Sequence, residues 1–153
     1  PQNKLGGTRL KFFNAPKIEK LQAVCNDEQT APGVLASIRA VGGRMEGELV
    51  VVRDSRGFAS SRLGLVRGLE AIRMVEQGVA TAEDIDKAMV HGYRHPMGPL
   101  KPTDLVGLDV RLKIADYLHE KLGTETFKPP ELLRKMVAEG KLGKKSGEGF
   151  YRW

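Results

Sequence analysis

The sequence has few of the residues that build disulfides, metal sites or aromatic binding platforms. Its 153 residues include one cysteine, three histidines and 6% aromatic residues. The single thiol, Cys25, cannot form an internal disulfide, which favours an inert thiol in a reducing, cytoplasmic setting. No run of about 18 apolar residues occurs, so we expect no membrane span.

The positive charge of the chain is spread too thinly to indicate a nucleic-acid surface. There are 25 Lys and Arg against 19 Asp and Glu, which gives a net charge of +6. Only the segment GKLGKK, residues 140–145, concentrates basic residues, and the aromatic residues do not alternate with them. Because single strands are usually held by aromatic stacking beside a basic groove, we expect no nucleic-acid partner.

The common catalytic and cofactor-binding motifs are also missing. The sequence contains no GxGxxG dinucleotide turn, Walker loop, Cys-x-x-Cys pair, HExxH or GxSxG. His91 and His95 flank a turn-forming loop before Pro96, so we expect no shared helical face and no metal site. The residues by themselves predict a helical interaction domain with an α/β appendage.

Residues 1–54 have the pattern of a strand–strand–helix–strand unit. The segments TRLKFF and KLQAV are short and β-compatible, and ELVVVRD carries three consecutive valines. Before that last segment, Thr30 can cap a helix that tolerates Pro32 in its first turn and ends at two glycines. Three strands and one helix cover each other poorly, so we interpret this part as the edge of a larger sheet.

Residues 55–153 are predicted to form a compact all-helical domain, which makes the fold class mainly α. One long amphipathic helix follows Gly57, and a second begins after the N-cap residue Thr81. A third helix is expected to start at Thr103 or Asp104, and a fourth follows the segment FKPP.

The apolar stripes of these helices are wide for so small a domain, which predicts a homodimer through the helical domain. A domain of about 100 residues has difficulty covering such faces alone. Two stripes are the candidates for the interface: Leu65, Leu69, Ile72 and Val75 on the long helix, and Leu105, Leu108 and Leu112 on the third.

Four segments in order, KFFNAP, RDSRGFASSRLG, HPMGPLKPTDLVGLDV and GKLGKKSGEGFYRW, resemble the 3-hydroxyacyl-CoA dehydrogenase family, in particular the bacterial 3-hydroxybutyryl-CoA dehydrogenases. The resemblance covers residues 7–153. It implies that residues 1–54 are the end of a Rossmann-type NAD-binding domain. Residues 55–153 would be the helical substrate-binding and dimerisation domain, similar to the C-terminal domain of 6-phosphogluconate dehydrogenase. It also implies NAD as cofactor, acyl-CoA as a possible partner and a role in fatty-acid metabolism.

The resemblance assigns roles to five positions, two of which have lost the expected chemistry. The family's catalytic histidine corresponds to Lys11, and the glutamate that orients it corresponds to Ala23. A lysine, with an ordinary pKa near about 10.4, is protonated at neutral pH and cannot accept a proton. Ser61 replaces a substrate-binding asparagine, and Asn14 and Lys145 are the candidate cofactor-binding residues. The residue pattern alone instead places Lys145 on a solvated turn that anchors the C-terminal aromatic residues.

Three hypotheses for function remain open. The first is a dimerisation and scaffold unit that is inactive and binds no cofactor when alone. The second is an NAD-dependent 3-hydroxyacyl-CoA dehydrogenase whose Rossmann portion lies on another segment. The third is a degenerate or engineered relative used only for binding. A GxGxxG unit in the upstream coding sequence would favour the second hypothesis.

Overall fold

The computed structural model describes residues 9–12, 21–26, 32–43, 48–53 and 55–153. The chain divides into two compact units, Pro1–Ala59 and Ser60–Trp153. The sequence predicts a boundary after residue 54, whereas this division falls inside the first turn of a helix.

The described segments between residues 9 and 53 of the first unit form a three-stranded sheet and one helix, in the order predicted from the sequence. The strands lie in the order β1-β2-β3, with β1 and β2 antiparallel and β2 and β3 parallel. The helix is the crossover that a parallel pair of strands requires. The elements are β1 (Arg9–Phe12), β2 (Leu21–Asn26), α1 (Pro32–Gly43) and β3 (Glu48–Arg53).

The second unit is helical, as predicted, so the mainly α class is confirmed. Thr81 caps α3 as expected: its hydroxyl accepts from the Asp84 amide at 3.2 Å and donates to the Asp84 carboxylate at 2.7 Å. The helices are α2 (Phe58–Glu76), α3 (Ala82–Tyr93), α4 (Leu100–Val106), α5 (Leu108–Leu122) and α6 (Glu131–Ala138).

The predicted helix start at Thr103 or Asp104 is wrong. Helix α4 already begins at Leu100, and the chain then breaks at Gly107, whose φ of 100° lies outside the helical region. Neither predicted cap residue acts as a cap. The Thr103 hydroxyl donates to the Pro99 carbonyl at 2.9 Å, and the Asp104 carboxylate binds the distant C-terminal tail.

The core of the helical unit consists of apolar residues from its five helices α2 to α6 and the turn that follows α5. Its fully buried large side chains are Leu65, Leu69, Ile72, Leu100, Leu108, Leu118 and Leu133. Four residues that the sequence suggested for a dimer interface, Leu65, Leu69, Ile72 and Leu108, are therefore buried within one chain. That assignment is wrong, because amphipathic periodicity identifies an apolar face without saying what covers it. Leu105 is 44% exposed and remains available to a partner.

The helices of the described segments differ from membrane-spanning helices. None of them combines the length with the apolar composition that crossing a bilayer requires.

Two leucines of α2 provide a matched test of the core. Leu69 is 1% exposed, whereas Leu63 is 72% exposed. We expect Leu69→Ala to lower the free energy of unfolding by about 2–5 kcal/mol, because it leaves a cavity, and Leu63→Ala to change it by less than about 0.5 kcal/mol. Urea unfolding followed by circular dichroism measures both. Equal losses in the two variants would contradict the placement of α2.

Candidate functional site

The two positions that correspond to the catalytic pair lie directly opposite each other in the first unit. Lys11 on β1 is the antiparallel partner of Ala23 on β2. Substituents at such opposed positions are close enough to interact. The register therefore brings together the two positions that the resemblance links. Their present residues, a lysine and an alanine, do not form a general base and the carboxylate that orients it. The side chain of Lys11 and the whole of Asn14 lie outside the described residues.

Ser61 lies in the first turn of α2 and is partly buried. Its hydroxyl makes no hydrogen bond to any described residue, so it is free to bind a ligand oxygen or amide. Helix α2 begins at Phe58, where the backbone is in the left-handed region. The φ angles are 77° at Gly57 and 48° at Phe58. The neighbouring Arg62 places its guanidinium over the Phe127 ring, 5.7 Å from the ring centre.

Lys145 belongs to a one-turn 3₁₀ helix, Lys144–Ser146, and forms an ion pair with Asp109 at the start of α5. The hydrogen bond from Lys145 lowers the pKa of the Asp109 carboxyl below its usual range. Gly107 lies against this pair, since a Cβ there would be 3.0 Å from an Asp109 oxygen and 3.1 Å from the Lys145 nitrogen. The structure thus ties Lys145 to the α4–α5 junction.

Asp104 holds the C-terminal tail. Its carboxylate is fully buried and accepts three hydrogen bonds: from the Phe150 amide at 3.0 Å, the Tyr151 amide at 2.9 Å and the Trp153 indole at 2.9 Å. The approach is so close that a Cβ on Gly149 would lie 2.4 Å from an Asp104 oxygen. Two segments of the sequence, DLVGLD and GEGFY, therefore form one structural unit.

A second buried carboxylate, Asp86 on α3, fixes the loop that leads into α4. It accepts from the Leu100 amide at 2.8 Å, the Lys101 amide at 3.0 Å and the Tyr151 hydroxyl at 2.8 Å. Burial, and then the hydrogen bond to Asp86, raise the pKa of the Tyr151 phenol. Gly98 is needed here, because a Cβ would lie 2.4 Å from the Asp86 side chain. Sequence reasoning missed Asp86; the available signal was an acidic residue beside Ile85 on the apolar face of α3.

The arrangement of Asp86, Asp104 and Tyr151 is suited to holding a fold and not to chemistry. Each carboxylate is saturated by donors, and the phenol keeps its proton. A groove of roughly 480 Å³ runs beside them, lined by Lys87, His91, Met97, Lys101 and Tyr151 among others. Within the described ranges, no three His, Cys, Asp or Glu side chains come together as metal ligands.

The described residues do not form a site for NAD by themselves. The Lys145 ammonium, the candidate contact, is already paired with Asp109. No described strand leads through a GxGxxG turn into a helix, the arrangement that brings backbone amides to a pyrophosphate.

The helical unit as a whole matches a known family. The sequence model described as 3-hydroxyacyl-CoA dehydrogenase, C-terminal domain, matches residues 57–153. The chain belongs to the 3-hydroxyacyl-CoA dehydrogenase family. The resemblance seen in the sequence is thereby confirmed, and the Asp104 unit and Lys145 lie inside the matched region.

Three relatives show how much of a family member this chain represents. It is 44% identical to 3-hydroxybutyryl-CoA dehydrogenase of Mycobacterium tuberculosis, over 100% of this chain and 53% of that protein. It is 42% identical to the probable 3-hydroxybutyryl-CoA dehydrogenase of Bacillus subtilis, over 99% and 52%. The crystal structure of (S)-3-hydroxybutyryl-CoA dehydrogenase from Ralstonia eutropha matches with a TM-score of 0.86 and 32% identity, over 94% and 51%. The chain spans about half the length of these proteins.

The tail unit can be tested through Asp104. Asp104→Asn replaces one acceptor by an NH₂ group facing backbone and indole donors, so we expect a loss of about 1–3 kcal/mol in the free energy of unfolding. Trp153, the one tryptophan in the sequence, should shift its emission to longer wavelength as its indole loses its acceptor.

The control for this substitution is Asp116→Asn. Asp116 pairs with Arg134 at the surface, where both side chains are nearly half exposed, so its loss should change stability little. If the two variants unfold at the same urea concentration, the Asp104 unit does not anchor the tail.

Proposed function

We propose that this chain is the helical half of a 3-hydroxyacyl-CoA dehydrogenase-like protein and acts by itself as a dimerisation and scaffold unit without dehydrogenase activity. The observation that carries this proposal is the register of β1 on β2, which opposes Lys11 to Ala23. A histidine and a carboxylate at these two positions could act together, whereas a lysine and an alanine offer no base at neutral pH. A general base typically contributes about 10² to 10⁴ in rate.

The helical unit has the rigidity that a scaffold requires. Two buried aspartates tie α3, α4 and the tail together, and Lys145 is tied to the start of α5. Of the second unit's candidate residues, only Ser61 has a side chain free to meet a ligand, and a single hydroxyl can orient a substrate without reacting with it.

A second candidate function is NAD-dependent oxidation of a 3-hydroxyacyl-CoA when an NAD-binding half is supplied. It is favoured by the relatives named 3-hydroxybutyryl-CoA dehydrogenase, which match the chain over nearly its whole length. Under this alternative, Ser61 would hold the substrate and acyl-CoA would be the partner. Lys11 would still have to act without a carboxylate at position 23.

Activity measurements separate these two functions. We expect the chain alone to reduce no acetoacetyl-CoA with NADH, and turnover above about 1 per second would contradict the proposal. When mixed with the NAD-binding half of a relative, Lys11→His should restore little. Lys11→His with Ala23→Glu should restore more than the sum of the single changes, because base and orienter act as a unit.

The matched control is Lys11→His with Ala23→Gln, which supplies a hydrogen bond without the negative charge. It should fall below the glutamate variant. If the unmodified chain is active in the mixture and neither substitution at position 23 alters the rate, then Lys11 and Ala23 do not occupy the catalytic positions.

We also propose that the helical unit forms a homodimer, through exposed apolar residues of α4 and α5 in place of the stripes the sequence suggested. Four large apolar side chains are exposed on these two consecutive helices: Leu105 at 44%, Val106 at 46%, Val110 at 37% and Tyr117 at 41%. Exposed apolar residues grouped in this way are typical of an interface.

Val110→Asp tests the dimer. A two-fold interface would contain the new charge twice, so we expect the dimer to dissociate in light scattering at tens of micromolar. Lys113→Asp, an exposed position on the same helix, should remain dimeric. A monomeric unmodified chain, or a dimer that survives Val110→Asp, would refute this interface.

A further inference from the structure

The groove beside Tyr151 has the size of a site for a small molecule. It is lined by one face of α3, by the loop that follows α3 and by the first turn of α4, and its volume is roughly 480 Å³. None of the five positions to which the resemblance assigns a role is part of this lining. The groove is therefore a candidate site outside the proposed function.

One wall of the groove is apolar. It consists of Val90 on α3 and of Pro96 and Met97 in the loop before α4. Met97 is 37% exposed, and its unbranched thioether can adjust to the shape of a neighbouring group. This wall is suited to covering a hydrocarbon chain, because burial removes the apolar surface of both from water.

Lys101 is the one cation in the lining without an acidic partner among the described residues. Its ammonium lies over the Tyr151 ring, 5.5 Å from the ring centre. Lys87 is different, since it pairs with Glu83 at 2.9 Å. The oxygens of Asp86 already accept from two backbone amides and the Tyr151 hydroxyl. The N–H donors of Lys101 are therefore open to an acceptor that a ligand supplies.

The charges around the groove favour a ligand with a single negative charge. Burial raises the pKa of the Tyr151 phenol, and so do the hydrogen bond to Asp86 and the negative charges of Asp86, Glu83 and Asp104. The same carboxylates would repel a dianion such as phosphate. A monoanion, in contrast, is matched by the one ammonium of Lys101.

We propose that this groove binds a small organic carboxylate, with its head group at Lys101 and its apolar body against Val90, Pro96 and Met97. The hydrogen bond from the ammonium to the carboxylate is charge-assisted, which makes it stronger than a neutral one. A six-carbon carboxylate has about eight non-hydrogen atoms and should bind with a Kd of about 1 mM.

Methionine methyl NMR on the full 153-residue chain tests the site. Met97 lines the groove, whereas Met136 lies in the core at 8% exposure. Hexanoate should move the Met97 resonance, which Met97→Leu identifies, and should leave that of Met136 in place. Acetate, which lacks the apolar chain, should bind at least about tenfold more weakly, and hexylammonium should not move Met97. An unmoved Met97 resonance at about 10 mM hexanoate, or equal movement with hexylammonium, would overturn the proposal.

A pair of lysine variants tests the head-group contact. Lys101→Met removes the ammonium and keeps the backbone amide that binds Asp86, so the hexanoate Kd should rise at least about tenfold in calorimetry. Lys113→Met removes an exposed lysine of α5 that does not line the groove, and should keep the Kd of the unmodified chain. Equal Kd values in the two variants would overturn the proposal. So would a Met97 resonance that moves with protein concentration and ignores hexanoate, because a second copy would then occupy the groove.

Discussion

The buried carboxylate of Asp104 is the interaction on which the helical unit depends most. A fully buried negative charge is tolerated only where donors surround it, and here two backbone amides and an indole do so within 3.0 Å. This contact fastens a tail with little regular structure of its own. It also explains why residue 149 is a glycine, because no side chain fits between the tail and the carboxylate.

Tyr151 connects this contact to the rest of the unit. Its amide binds Asp104 on α4, and its hydroxyl binds Asp86 on α3. Asp86 in turn holds the first amides of α4. One residue of the tail is thus bonded to two buried aspartates, and the loop between α3 and α4 is held where it enters α4. Hydrogen bonds to charged groups are about twice as strong as neutral ones, so these few contacts position helices that the small apolar core alone would hold less firmly.

The buried carboxylates of the helical unit therefore serve its structure. Asp86 and Asp104 each accept three hydrogen bonds, Lys145 forms an ion pair with Asp109, and the opposed Lys11 and Ala23 provide no acid–base pair. The exception is the Nε of Arg111, a shielded donor that lacks an acceptor in the described parts of the chain. Burial of a donor without a partner is costly.

The sequence by itself determined the family, the mainly α class, the strand–strand–helix–strand order and the Thr81 cap of α3. These features depend on neighbours within a few residues, through periodicity, capping and glycine placement. Only the tertiary structure decided that Asp104 binds the tail and is not a cap, that the helix breaks at Gly107, and that Leu69 and Leu108 belong to the core. The partners of Asp104 lie 46, 47 and 49 residues away in the chain. No local sequence pattern predicts a partner so far along the chain, because an aspartate oxygen can accept a hydrogen bond from a nearby amide or a remote one equally well.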